Sequence, residues 1–248
     1  MRVGARPTAM QRCLEKPIAF PGESLFSLFM AYRRTENVVR RLNARHHAIV
    51  EAARDAAVAG GMAAIQIAPV AMRAGVAAGT VYRYFPGKVD LIEALVDSVA
   101  SREILALRRA ADAAPGPLSA LSAAVVTFAS RSLRHRRLAW AVTAEPVDAD
   151  TDEVRQGYRR AVVAEIEARI RTAIGGGHLP EQDAGIAAPA LVGALLEGLI
   201  GPLAPDSVDD PARSREAVQT LALFALRGLG VVDAHARGLV VQTALMQE

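Results

Sequence analysis

Three groups of residues in this chain have the types and spacing to do chemistry. His47 and Glu51 stand four apart, which puts both on one face of a helix and would make half of a metal site. No third ligand is evident nearby, and the HExxH pattern is absent. Gly175-Gly176-Gly177-His178 is glycine-rich, but no Gly-Lys-Ser/Thr follows and no strand precedes it, so it does not read as a phosphate loop. Neither Ser/His/Asp nor Cys/His arrangements have local support, so neither a cofactor nor an enzymatic activity is expected. The third group is Gly79-Thr80, Tyr82-Arg83-Tyr84 and, past a Pro-Gly turn, Lys88. Only Lys16 and Lys88 among 29 basic residues are lysine, so Lys88 departs from the chain's own habit. An arginine can take guanine through O6 and N7, and a glycine lets backbone approach a base edge or phosphate closely. Lys88 opens a helix, where its charge and the free N–H groups point at the same anion.

The flanking pattern supplies the elements that would carry these residues. Residues 45–59 read as a helix with an Ile49, Ala52, Ala53, Ala56, Ala57 stripe, closed by Gly60-Gly61. A second helix opens near Gln66 with Pro69 in its first turn, and Gly75 makes a tight turn. A third covers 77–85 and breaks at Pro86-Gly87, and a long one runs from Lys88 to about residue 111. Val70, Ala71, Val76, Val81 and Phe85 have the spacing of a small core. Two short helices across a tight turn, the second carrying small and polar residues, have the layout of a helix-turn-helix.

Ala74-Gly75-Val76, Gly79-Thr80-Val81-Tyr82, Tyr84-Phe85, Lys88 and Leu91 resemble the DNA-binding domain of TetR/AcrR-type transcriptional regulators. The resemblance covers roughly residues 45–96 and is weak elsewhere. It implies that Ala78, Gly79, Tyr82 and Arg83 lie at or near base edges, and that Thr80, Tyr84 and Lys88 hold phosphates, with Gln66 counted among the contacts. Two departures stand out. Ala77 occupies a position where the family commonly has a capping Ser or Thr, which costs about 1 kcal/mol of capping. Ala78 offers at most a contact to a thymine methyl, leaving more of the readout to DNA shape.

Composition agrees with a nucleic-acid partner. Residues 1–90 hold 13 Lys+Arg against 6 Asp+Glu, whereas residues 91–248 hold 16 against 20, so the positive charge sits with the motif. Cys13 is the only cysteine, which precludes an intrachain disulfide, and no run approaches the ~20 apolar residues of a membrane span. No signal peptide is evident, so a cytoplasmic protein with no membrane partner is expected. Residues 1 to about 30 contain Pro7, Pro17, Pro21 and Gly22 and read as disordered; Met30 is an alternative start, leaving open whether residues 1–29 belong to the native protein. Arginines at 33/34 and 40/41 recur over two helical turns; a minor-groove arm and a solvated tail are both open readings.

Beyond residue 115 the pattern stays helical, with segments near 118–134, 136–145, 150–174, 183–203 and 211–229, and a last one to Leu245. The expected class is all-α: an arm (1–44), a helix-turn-helix domain (45–90) and a larger helical domain for ligand binding and dimerisation (91–248). Leu191, Leu195, Leu199, Leu221, Phe224 and Ala225 are the candidates for a homodimer interface, with burial inside one subunit as the other reading. Phe128, His135, Trp140, Glu145 and Tyr158 are candidates for lining an effector pocket, although a lone Trp or Phe on an apolar face is more often core. Arg134, Arg136 and Arg137 beside His135 form either a solvated face or a site that meets an anionic ligand. The expected function is a dimeric, ligand-responsive regulator, a repressor released from a palindromic double-stranded DNA operator by a small apolar or amphipathic effector. The alternative is a helical dimer that acts through protein contacts without sequence-specific DNA binding.

Overall fold

The computed structural model describes residues 25–204 and 210–245, with side chains from residue 37 to 243 within them. Among the described residues the secondary structure is ten α-helices and one 3-10 turn, with no strand. The chain divides into two compact units, residues 1–45 and 46–248.

The first helix, α1, spans Leu25–Gly60, far longer than the 45–59 segment expected from its apolar stripe. The expectation of disorder up to residue 30 is corrected over 25–30, and over 1–24 it lies outside the described residues. No proline or glycine occurs between Gly22 and Gly60, and the arginine-rich stretch is made of good helix formers. Its apolar positions, Leu25, Leu28, Phe29 and Tyr32, are cut off from the Ile49 stripe by the polar run 33–37 and by Arg40-Arg41, and a continuous stripe is a signal of packing rather than of helicity. In the first unit Arg40 donates to Asn37 Oδ1 (3.0 Å) one turn back, and the side chains of residues 37–45 are exposed.

In the second unit, α1 ends at Gly60 and a 3-10 turn follows at Met62–Ala64. Then come α2 (Ile67–Arg73) and α3 (Ala78–Tyr84), joined through Gly75, whose φ of 68° is the left-handed conformation that an L side chain resists. Ile49, Ala53, Ile65, Val70, Val81 and Leu91 are fully buried and close the small core. The next helix, α4 (Lys88–Asp112), begins where Gly87 N donates to Asp90 Oδ2 (2.7 Å). It continues well past residue 90, so one rigid rod serves both the reading head and the larger helical part.

The larger part holds α5 (Pro117–Arg134), α6 (Arg136–Thr143), α7 (Ala149–Gly175), α8 (Ala184–Ile200), α9 (Pro211–Gly228) and α10 (Asp233–Leu245). Asp148, Asp183 and Asp210 each cap a helix by accepting backbone N–H groups, and Pro211 follows Asp210 at the first helical position. Every residue from Leu121 to Ala129 is buried, and α5 packs against each of α4 and α6 to α10. A helix apolar on all faces belongs at a centre, and α5 occupies it.

Candidate nucleic-acid interface and effector cleft

Short helix α3 has one face inside and one outside. Val81 is fully buried and Phe85, just past its end, nearly so, while Ala78, Gly79, Tyr82 and Arg83 are exposed. Tyr82 keeps 53% of its surface in solvent, an unusual cost for an aromatic side chain. A Cβ added at Gly79 would meet nothing within 4 Å, so the protein itself sets no steric need for glycine there. Ala77 caps α3 without a side-chain hydrogen bond, as its identity requires; its carbonyl accepts from Thr80 N (2.8 Å). Lys88 is exposed at the first turn of α4, and Gln66 is exposed at the start of α2, with Nε2 donating to Ala63 O (3.1 Å).

Tyr84 differs from its neighbours. Its half-buried ring packs edge-on to His46 at 6.2 Å between centroids, and His46 in turn lies 5.0 Å from Phe85. Burial and the neighbouring His47 hold His46 below the usual histidine range. His47 and Glu51 do share a face of α1, but Glu51 is engaged by Arg102, which ion-pairs with its carboxylate and lies 3.5 Å from His47 Nε2. Among the described residues no group of three or more His, Cys, Asp or Glu could hold a metal.

In the larger part, a cleft of about 50 Å³ opens between α1, α4, α5, α6 and α7. Of the five residues expected to line a pocket, His135 and Tyr158 do so. Phe128 is fully buried in α5 and serves the core, and Trp140 sits half-buried on α6, away from the lining. Glu145 lies elsewhere altogether. Its Oε2 accepts from Met62 N (3.0 Å), and its carboxylate packs on Gly61, where a Cβ would come within 2.3 Å of it. Gly61 has φ 75°, so a glycine is required there twice over. The backbone carbonyl of Glu145 accepts from the buried Arg155, which also bonds Asp152 and the Ala141 carbonyl (3.4 Å). Glu145 therefore ties the α6–α7 corner to the turn that ends α1.

The cleft's polar wall was missed by sequence reasoning. Glu103 is buried on α4, and its Oε2 accepts from Arg131 Nε (2.8 Å). Arg54, Arg102 and Ser132 complete the polar lining, with Val99, Leu138, Ala139 and Val142 as the apolar part. A signal existed: Glu103 stands four residues after Val99 and four before Leu107, a carboxylate on the apolar stripe of its helix. Burial pushes the Glu103 carboxyl up despite the Arg131 guanidinium beside it, and raises the Tyr158 phenol out of reach of ordinary titration. His135 is held down by burial and then by the charges of Arg54, Arg131 and Arg134.

A second, apolar groove of about 240 Å³ lies between α8 and α9. Leu191, Leu195, Phe224 and Ala225 from the expected interface line it, together with Ala187, Ala190 and Ala194. Leu199 is buried within the subunit, and Leu221 packs against Gly198, where a Cβ would lie 3.0 Å from its methyl group. Phe224 is 58% exposed. No helix among the described residues is long and apolar enough to cross a membrane.

The sequence profile of bacterial regulatory proteins of the tetR family matches residues 49–95, the segment that builds α1's end, α2, α3 and the start of α4. A probable HTH-type transcriptional regulator from Pseudomonas putida, ArpR, is 32% identical over 189 residues, which is 71% of this chain and 88% of that one. The HTH-type transcriptional repressor KstR of Mycobacterium tuberculosis is 37% identical over 106 residues, 43% of this chain and 48% of its own. Among solved structures, RolR in complex with resorcinol superposes with a TM-score of 0.60 at 20% identity, covering 82% of this chain and 95% of RolR, a likeness of fold. With the family's profile matching residues 49–95 and a relative similar across most of both lengths, this chain belongs to the TetR family of DNA-binding transcriptional regulators.

Proposed function

We propose that the protein is a dimeric repressor that holds a palindromic operator until a small molecule enters the α4–α7 cleft. The observation that carries this reading is the exposed face of α3, where Gly79, Tyr82 and Arg83 stand together in solvent with Lys88 nearby in sequence. Thr80 and Lys88 anchor phosphates, Arg83 reads guanine, and Gly79 permits close approach. A single head of this size reads only half a site, so two copies related by a two-fold axis place their α3 helices about 34 Å apart. The apolar groove between α8 and α9, with the exposed Phe224, is the surface that supports dimerisation. KstR is named a repressor and RolR was solved with a small phenolic ligand, which favours repression and ligand response here.

Release follows if the effector favours a state in which the heads are wrongly spaced, by no more than its differential affinity for the two states. The cleft includes Arg54 of α1, and Glu145 links the α6–α7 corner to the turn ending α1, so a shift of the cleft walls reaches the head directly. The test is binding of the purified protein to DNA from its own promoter at two salt concentrations, with random DNA as competitor. Specific, salt-sensitive binding is expected. Equal affinity for any DNA would sink the repressor reading and favour a protein acting through protein contacts.

A further inference from the structure

The effector cleft contains a buried acceptor with nothing to accept from. Glu103 is 94% buried (6% exposed), and while its Oε2 is held by Arg131, its Oε1 is sequestered from solvent with no hydrogen-bond partner among the described residues. A buried carboxylate oxygen left unpaired is costly, and native structures rarely keep one without a use. The same cleft is rich in cations. Arg54, Arg102 and Arg131 all line it, against Glu103 in the lining and Glu51, which Arg102 pairs with and Arg54 approaches at 3.8 Å. Two of these arginines, Arg54 and Arg131, together with Arg134, add to burial in holding the His135 imidazole below the usual histidine range. Val99, Leu138 and Val142 make the remaining wall apolar.

We infer that the cleft selects a small organic anion that also carries a hydroxyl or amine donor, the donor seating on Glu103 Oε1 and the anionic group lying among the arginines. This rests on reading the cleft as the effector site. Glu103 and Arg102 come from α4, Arg131 from α5 and Arg54 from α1, so the two polar requirements are distinct groups, and a molecule with only one of them leaves the other unmet. A donor supplies the missing partner of Oε1; an anion offsets the guanidinium excess. The cleft's 50 Å³ is about a third of the ~150 Å³ that encloses benzene in an engineered apolar cavity, so only the donor and the few atoms bearing it are engulfed. The rest of the molecule projects to the mouth. Specificity of this kind is strong because an analogue lacking the donor restores the unpaired buried oxygen.

The experiment compares 4-hydroxybenzoate, benzoate and phenol on the full-length protein. Trp140, the single tryptophan, shares α6 with Leu138 and Val142 and provides a fluorescence readout alongside thermal shift. We expect 4-hydroxybenzoate to bind at least about tenfold more tightly than benzoate or phenol. In Glu103→Gln the preference over benzoate is expected to collapse. In Arg54→Gln both carboxylates weaken while phenol is unchanged, a second arm that stands even if Glu103→Gln fails to fold. Equal binding of benzoate and 4-hydroxybenzoate, a preference that survives Glu103→Gln, or no binding of any probe overturns the inference. If none of the probes binds while the protein still recognises its promoter DNA, the ligand class falls alone. Loss of specific DNA recognition as well takes down the repressor reading beneath it.

Discussion

At Gly79 the fold and the proposed DNA contact make opposite demands. Among the described residues nothing lies within 4 Å of where a methyl group would stand, and glycine inside a helix costs about 0.5–1 kcal/mol relative to alanine. Gly79→Ala is therefore expected to raise stability in urea unfolding by about that amount while lowering affinity for promoter DNA; unchanged affinity would mean the backbone does not approach the duplex closely. Arg83 and Lys88 separate along a different axis. Arg83→Ala should cost about 1–3 kcal/mol on the specific site and narrow the gap to random DNA. Lys88→Ala should weaken all DNA alike and reduce the slope of log affinity against log salt by about 1. Titrations by fluorescence anisotropy at several salt concentrations distinguish the two. The exposure of these positions was legible in residue types and spacing, because an exposed face of a two-turn helix leaves few choices. Tyr84 was less so: only packing reveals that its ring lies against His46.

At the scale of elements, the turn that ends α1 depends on a residue 83 positions away. Glu145 satisfies Met62 N at a left-handed glycine, and Arg155 fixes the Glu145 carbonyl from α7. Glu145→Ala leaves a part-buried N–H without its charged acceptor and is expected to cost about 1–3 kcal/mol in chemical denaturation. The more telling measurement is hydrogen exchange: protection of the Met62 amide should fall, with α8 and α9 unaffected. If the same variant also lowers the effector's influence on DNA binding, the bracket transmits the signal; unchanged coupling restricts it to support. The sequence had suggested Glu145 as a pocket residue, since a polar residue at a helix end among apolar neighbours looks the same in either role. Its partner is brought to it only by the chain's return.

For the molecule as a whole, assembly and acidity can be tested without knowing the effector. Phe224 is largely in solvent, so Phe224→Glu should leave the subunit folded; light scattering is expected to show monomers in place of dimers, with DNA affinity falling alongside. A dimer that persists would place the interface elsewhere. Acid should weaken the fold in two stages. His46 and His135 have lowered pKa values, so the unfolded chain binds more protons than the native one between those values and 6.5. Stability is thus lost as pH falls below 6.5 through the native values. Glu51 and Glu165 repeat this below 4.5: burial raises their pKa values, but ion pairs with Arg102 and Arg54, and with Arg108 and Arg169, more than offset it. Glu103 opposes the trend, because its raised pKa makes the native state the better proton binder above 4.5. Calorimetry from pH 7 to 5 should show a falling Tm, flattened in His46→Gln with His135→Gln.

By itself the sequence determined the helical class, the reading head and the order of nearly all the helices. Those follow from local rules: a 3.6-residue stripe, Gly75 at a turn needing positive φ, Asp210-Pro211 at a helix start, Pro86-Gly87 as a break. It understated α1 because the polar run 33–37 and Arg40-Arg41 interrupt the apolar stripe, although nothing in residues 25–44 breaks a helix. What only the tertiary structure decided were the pairings between distant segments. Glu103 with Arg131, Glu145 with Met62 and Ser122 with Thr243 (3.1 Å) join positions 28, 83 and 121 residues apart. A buried polar residue is stable only beside its partner, and which partner arrives depends on how α5 is enclosed by the helices around it. Helix periodicity carries no information about that, so the cleft's chemistry became visible only once the helices were packed.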